Sequence, residues 1–204
     1  MKIRQAIRED ALALAALIFS SAPQALSAVF NINSEKSALK FLQFCLSSAD
    51  GQFGFVNHWV IEINHLVVGC FSAWHCEIPK SFHQATFKTL IEFYGTEHAL
   101  KVIQASQALQ ESIPTPQKSE LCIGHFAVLS QYQRQGIASE MMNVAHNLAR
   151  DLGFQFLTLD VASSNESAIN FYEKQGFIQE SKSEEGAQIQ AKGIGEYIHF
   201  KKLI

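Results

Sequence analysis

The strongest periodic signal in the chain follows Gly136, where Ile137, Met141, Ala145, Leu148 and Leu152 recur at helical spacing and Gly153 supplies a stop. Ahead of it, Leu121 to Val128 is an apolar run that reads as a strand. Residues 156–161 form a second near-continuous apolar run, suited to a strand covered on both faces. A strand, a helix and a strand in succession predict parallel pairing. Earlier, residues 59–63 and 66–74, rich in apolar and β-branched side chains and joined by Asn64-His65, predict a hairpin.

The remaining segments complete the outline. Residues 2–7 read as a short strand, and Asp10 as the N-cap of a helix with Leu14, Leu17 and Ile18 on one face. A second helix is predicted from Ser34, with Ala38, Phe41, Leu42 and Cys45 as its buried stripe and the polar cluster 47–51 as its end. A short helix over 167–175, stopped by Gly176, leads into a strand over 177–180 and a last strand near 196–201. Between the third and fourth strands, residues 77–119 hold two more helices, 81–94 and 97–111. These elements predict one domain over 1–204, of α/β class with a mixed α+β sheet flanked by helices, carrying a helical insertion at 77–119. Such an insertion is a lid, a wall of a binding site, an oligomer contact or a plain added helical layer; its position just before Glu120 points to the binding wall of the acceptor site.

Composition narrows the chemistry. The 204 residues are 48% hydrophobic and 17% charged, enough for a full core. A net charge of -3, with none of the 16 basic residues in a long cluster, argues against nucleic acid as a partner. Cys45, Cys70, Cys76 and Cys122 show no paired spacing and read as reduced thiols of a cytoplasmic protein. The start is polar and charged through Asp10 and no apolar run nears about 18 residues, so neither a leader peptide nor a membrane span is expected. His75, Cys76 and His83 lack a fourth ligand at a zinc-like spacing, and no metal is expected. A homodimer is an expectation that the chain's composition does not decide.

The stretch Gln133-Arg134-Gln135-Gly136-Ile137-Ala138-Ser139 opens the best helix directly after a strand. The unpaired amides of a first helical turn, reached past small residues, hold a phosphate-bearing ligand without a metal. These residues resemble the Gln/Arg-x-x-Gly-x-Gly/Ala signature of the GNAT superfamily of acyl-CoA N-acyltransferases. A second segment, Asn165 to Phe177, resembles that family's Asn-x-x-Ala-x-x-x-Tyr-x-x-x-Gly-Phe pattern at every defined position. The likeness covers about residues 120 to 180, with a looser one at Ile3 to Ala11. Leu129-Ser130 replaces the frequent x-Pro after the strand, and Ala138 the commoner glycine.

The resemblance implies an acetyl-CoA-dependent N-acetyltransferase acting on a primary amine, in a small molecule or a peptide, by direct attack in a ternary complex. A non-catalytic acyl-CoA-binding module and a transferase of longer acyl chains are the alternatives. By the same resemblance the backbone of Phe126, Ala127 and Val128 pairs with the pantetheine arm and the N–H of Val128 polarises the thioester. The amides of Gln133 to Ser139 hold the pyrophosphate, with Arg134 as an added contact. Asn165 binds pantetheine or caps a helix, and Tyr172 is the general acid. The family does not fix the base. Glu120, thirteen residues before Gln133, matches a catalytic glutamate of N-terminal and ribosomal-protein acetyltransferases, and Tyr132 a tyrosine that some of them use. Strand parity sets Glu120, Cys122, Gly124, Phe126 and Val128 on one face and His125 on the other, so Glu120, His125 and an ordered water are alternative bases.

Overall fold

The computed structural model describes residues 1–110, 113–183 and 195–204. Its elements, in chain order, are β1 (Lys2–Gln5), α1 (Ala11–Ser21), α2 (Pro23–Phe30), α3 (Ala38–Cys45), β2 (His58–Ile63), β3 (Leu66–Trp74), α4 (Lys80–Tyr94), α5 (Thr96–Gln110), β4 (Glu120–Val128), α6 (Ile137–Asp151), β5 (Phe156–Ala162), α7 (Glu166–Lys174), β6 (Ile178–Lys182) and β7 (Tyr197–Leu203). The seven strands form one sheet in the order β1-β2-β3-β4-β5-β7-β6. Among the described strands only β4 and β5 pair in parallel, because α6 carries the chain back across the sheet between them. The expected mixed sheet, its hairpin and its parallel pair are all present. Asn64 and His65 both take positive φ, 50° and 64°, the backbone of a two-residue turn that matches strand twist.

Two apolar cores lie on opposite faces of the sheet. On one, Val60, Cys70 and Ala127 pack under α1 and α3, with Phe41 stacked on Phe30 at 4.9 Å. On the other, Phe71, Leu121, Ile123, Leu157 and Phe200 pack against Ile137, Met141 and Ala145 of α6 and Tyr172 of α7. We call these the α1 face and the α6 face.

Three local expectations change. The second helix starts at Ala38, with Ser37 as cap accepting the Lys40 N–H, rather than at Ser34. An eight-residue helix, α2, precedes it, with Pro23 at its first position, where a missing N–H costs nothing. Asp10 stands at the start of α1 without capping it, because its carboxylate instead accepts the Ile7 N–H at 2.9 Å and the Arg4 guanidinium.

The insertion folds as a helical layer. Leu90 and Tyr94 of α4 and Ala99 and Val102 of α5 join the α1-face core, and the Tyr94 hydroxyl donates to the Phe30 carbonyl at 2.7 Å. The expected end of the second insertion helix, Glu111, lies outside the described residues. Among the described residues, no single helix is long and apolar enough to cross a membrane.

Candidate active site

The two parallel strands part company midway. Their pairing runs from Glu120 opposite Phe156 to Ile123 opposite Leu159 and stops there, while β4 continues to Val128 and β5 to Ala162. The divergence begins where β4 acquires an extra residue. Its register with β3 passes from Ser72 opposite Gly124 to Cys70 opposite Ala127, so Phe71 faces two residues, His125 and Phe126. His125 absorbs this bulge with φ 50°.

The bulge overturns the parity expected for β4. Leu121 and Ile123 face α6, but beyond His125 the alternation slips, so Phe126 and Val128 also face α6 while Ala127 joins the α1-face core. His125 turns to the α1 face, where Nδ1 reaches Ser72 Oγ at 3.3 Å and His58 Nε2 at 3.2 Å. Glu120, opposite Phe156, alternates with the α6-facing Leu121 and meets Lys201, so it too turns away from α6. Glu120 and His125 therefore share a face rather than opposing one another.

Backbone pairing fixes where the Val128 amide points. The Leu129 N–H donates to the Val68 carbonyl at 2.8 Å, which makes Val128 and Gly69 a non-hydrogen-bonded pair. The N–H and C=O of Val128 consequently point away from β3, into the gap that β5 has left. The carbonyl accepts the Gln133 side-chain amide at 3.0 Å; the N–H is directed into the cleft.

The turn below the cleft has the predicted form. Gly136 takes φ 82° at the N-cap of α6, so the amides of Ile137, Ala138 and Ser139 open the helix without an internal partner. A Cβ on Gly136 would meet nothing within 4 Å, so its conformation, not crowding by the protein, requires glycine. Arg134 is exposed and also takes a positive φ, 59°, and the Gln135 amide closes the turn onto the Gln131 carbonyl at 3.0 Å. Ile137 is buried in the α6-face core, and Ser139 Oγ meets Gln175 Nε2 at 3.4 Å, tying the turn to α7.

Tyr172 is buried on the α6 face beside Phe126 of β4. Its ring sits among Phe126 at 6.1 Å, Phe171 at 5.4 Å, Phe177 at 5.9 Å and Phe200 at 6.4 Å. Among the described residues no hydrogen bond holds its hydroxyl, and burial pushes the phenol above its ordinary range. Tyr132 is partly buried against the same core. Asn165 caps α7 through its side-chain oxygen, which accepts the Ala168 N–H at 3.2 Å and leaves its amide nitrogen for another contact.

Glu120 stands apart from these groups. It lies at the opposite end of β4, roughly 25 Å along the strand from Val128. Its carboxylate is 2.7 Å from Lys201 Nζ and accepts the Gln117 N–H at 2.7 Å. Burial alone would raise its pKa; the Gln117 N–H and the Lys201 ammonium outweigh that and hold it below the ordinary carboxylate value. On the same face His199 Nδ1 is 2.8 Å from Asp160 Oδ1.

Sequence reasoning missed the surroundings of His125. His58 is fully buried at the start of β2, Ser72 is buried in β3, and Phe53 stacks on the His125 ring at 5.8 Å. No pattern in the chain marks these residues; only the register of β2, β3 and the bulged β4 assembles them. His75 accepts the Glu77 N–H at 3.2 Å, and among the described residues no group of three His, Cys, Asp or Glu is placed to hold a metal ion.

A diverging parallel pair, an inward backbone amide and a glycine-initiated helix are the frame that the two sequence signatures anticipated. The sequence model of the Acetyltransferase (GNAT) family matches residues 35–177. The chain belongs to this family. Within it, human N-acetyltransferase 8 is 33% identical over 85 residues, covering 42% of this chain and 37% of that protein. Rat N-acetyltransferase family 8 member 2 is 29% identical over 119 residues, covering 58% of this chain and 50% of its own. The chain thus spans between about a third and a half of the length of these curated relatives. An N-acetyltransferase from Staphylococcus aureus Mu50 shares the fold at a TM-score of 0.72 and 20% identity, covering 99% of this chain and 100% of that one.

Proposed function

We propose that this protein is an acetyl-CoA-dependent N-acetyltransferase that moves an acetyl group to a primary amine, in a small molecule or a peptide, by direct attack in a ternary complex. The observation that carries this reading is the Val128 N–H directed into the β4–β5 gap above the open first turn of α6. A donor fixed in the backbone costs no reorganisation when charge develops on a thioester oxygen, and removing one such donor at other enzymes costs about 3 kcal/mol.

The residues divide the work by face. The amides of Ile137, Ala138 and Ser139 would hold the pyrophosphate, and the exposed edge of β4 beyond Ile123 would pair with pantetheine. The amine would enter from the α1 face, and Tyr172, on the α6 face, would protonate the leaving sulfur. Burial keeps that phenol protonated at neutral pH. Cys45, Cys70 and Cys122 are buried and their thiols pushed up by burial, so none of these three offers a thiolate for an acyl-enzyme; Cys76 is partly exposed.

The test is acetyl-CoA thiol release against a panel of small amines and peptide N-termini, followed by two-substrate kinetics. Intersecting double-reciprocal lines are expected. Binding of acetyl-CoA without amine-dependent release of CoA would leave a binding module, and parallel lines would replace direct attack with an acyl-enzyme.

A further inference from the structure

Resting on that reading, we infer that His58 and His125 form a tautomer-setting relay that presents the Nε2 lone pair of His125 as the base for the attacking amine. His125 is then the catalytic residue, and His58 and Ser72 are positioning residues.

The proton positions follow from what each partner can do. The Gly54 carbonyl only accepts, so His58 Nδ1, 3.2 Å away, carries the hydrogen. In a neutral ring His58 Nε2 must then be an acceptor. Facing it at 3.2 Å, His125 Nδ1 must be the donor, with Ser72 Oγ at 3.3 Å as a second acceptor. This leaves His125 Nε2 unprotonated. Among the described residues Nε2 has no hydrogen-bond partner, and His125 is only partly buried. Burial lowers His58 to about 4, and burial with the neighbouring His58 lowers His125 to about 3, so both rings are neutral at physiological pH.

The setting holds the relay in place. A Cβ on Gly54 would stand 2.2 Å from the Ala49 carbonyl oxygen, so the chain can bring the Gly54 carbonyl to His58 Nδ1 only with glycine there. Phe53 stacks on His125 at 5.8 Å and fixes its ring plane. The bulge sets His125 about 10 Å along β4 from Val128, against roughly 25 Å for Glu120, whose oxygens Lys201 and Gln117 already occupy.

The step balances within the site. The amine nitrogen bonds to the thioester carbon and its proton passes to His125 Nε2. The carbon–sulfur electron pair leaves with sulfur, which takes the Tyr172 proton, and solvent returns the His125 proton to Tyr172. Imidazolium formed at His125 keeps its Nδ1–H on His58, so the relay is not broken by the transfer.

Chemical rescue tests this. His125→Gly suits the positive φ and empties the imidazole volume; kcat should fall about 100-fold, with KM for acetyl-CoA little changed. Added imidazole should restore kcat about tenfold in His125→Gly and do nothing in His125→Asn, which also tolerates positive φ but leaves no cavity. His58→Leu should lower kcat about tenfold, whereas His58→Gln, whose amide oxygen can still accept the His125 N–H, should recover most of it. Should His125→Gly not fold, His125→Asn carries the test alone. The inference is overturned if imidazole leaves folded His125→Gly unmoved, if His58→Leu matches the wild type, or if Glu120→Gln loses kcat while His125→Asn keeps it. A wild-type protein that releases no CoA with any amine would instead remove the proposed function itself.

Discussion

The side-chain amide of Gln133 donates to the main-chain carbonyl of Val128 across 3.0 Å, joining the turn before α6 to the strand end whose N–H enters the cleft. Gln133 thus acts through the strand, in addition to the phosphate contact that the resemblance assigned to its backbone. Gln133→Ala should weaken acetyl-CoA binding and lower kcat/KM roughly 2- to 10-fold, the range of one ordinary hydrogen bond. Isothermal titration with CoA and steady-state kinetics measure both effects. Unchanged CoA affinity would show that the tie is incidental.

Gly136 has free space around it and a backbone that other residues resist. Gly136→Ala should therefore fold, losing about 1–2 kcal/mol to the left-handed conformation. Its Cβ would stand before the α6 amides, so the rise in Tm given by saturating CoA should shrink more than the apo Tm falls. Thermal unfolding with and without CoA separates the two.

Arg4 clamps Asp10 through two bonds, 2.6 and 3.0 Å, while also reaching Glu62. Burial would raise the Asp10 pKa, but the Arg4 hydrogen bonds, the Ile7 N–H and the Arg4 charge together hold it below 3.8. A depressed carboxyl contributes stability that is fully present above its ordinary value of 3.8 and is lost as pH falls through the folded value. Asp10→Ala should cost about 2–3 kcal/mol at pH 7, because it leaves part of the guanidinium unpaired. Urea titrations from pH 7 to pH 3 should find that difference constant at first and shrinking below about 4.

Tyr172 packs with four phenylalanines and, among the described residues, has no hydrogen bond to lose. Tyr172→Phe should leave stability within about 0.5 kcal/mol of wild type, since only a hydroxyl is removed. If the hydroxyl protonates the leaving sulfur, kcat should drop about 100-fold with KM for acetyl-CoA nearly constant. A variant with wild-type kcat would transfer the acid role to solvent.

The hydrophobic period revealed most of this architecture and misled at its most consequential point. The α6 stripe, the Asn64-His65 hairpin and both insertion helices are local patterns, written within a few residues of one another. The β4 bulge is not local. Leu121, Ile123, Phe126 and Val128 are all apolar because both faces are covered, so nothing in their order betrays a slipped alternation; the extra residue exists only relative to β3. The same limit hid His58 and Ser72, which adjoin His125 through register across 67 and 53 positions. It also hid the ion pair of Glu120, since Lys201 lies two strands away in the sheet.

Thr86, in the inserted helix α4, receives the Gln52 N–H at 2.8 Å, and a Cβ on Gly51 would come within 2.9 Å of its backbone nitrogen. That hydroxyl anchors the loop that runs on through Phe53 and Gly54. If the inferred relay is the base, the extra layer bears on proton placement, because Gln52, held by α4, lies two residues before the Gly54 carbonyl that meets His58 Nδ1. Sequence drift in the insertion could retune how readily an amine is deprotonated while every cleft-lining side chain stays the same.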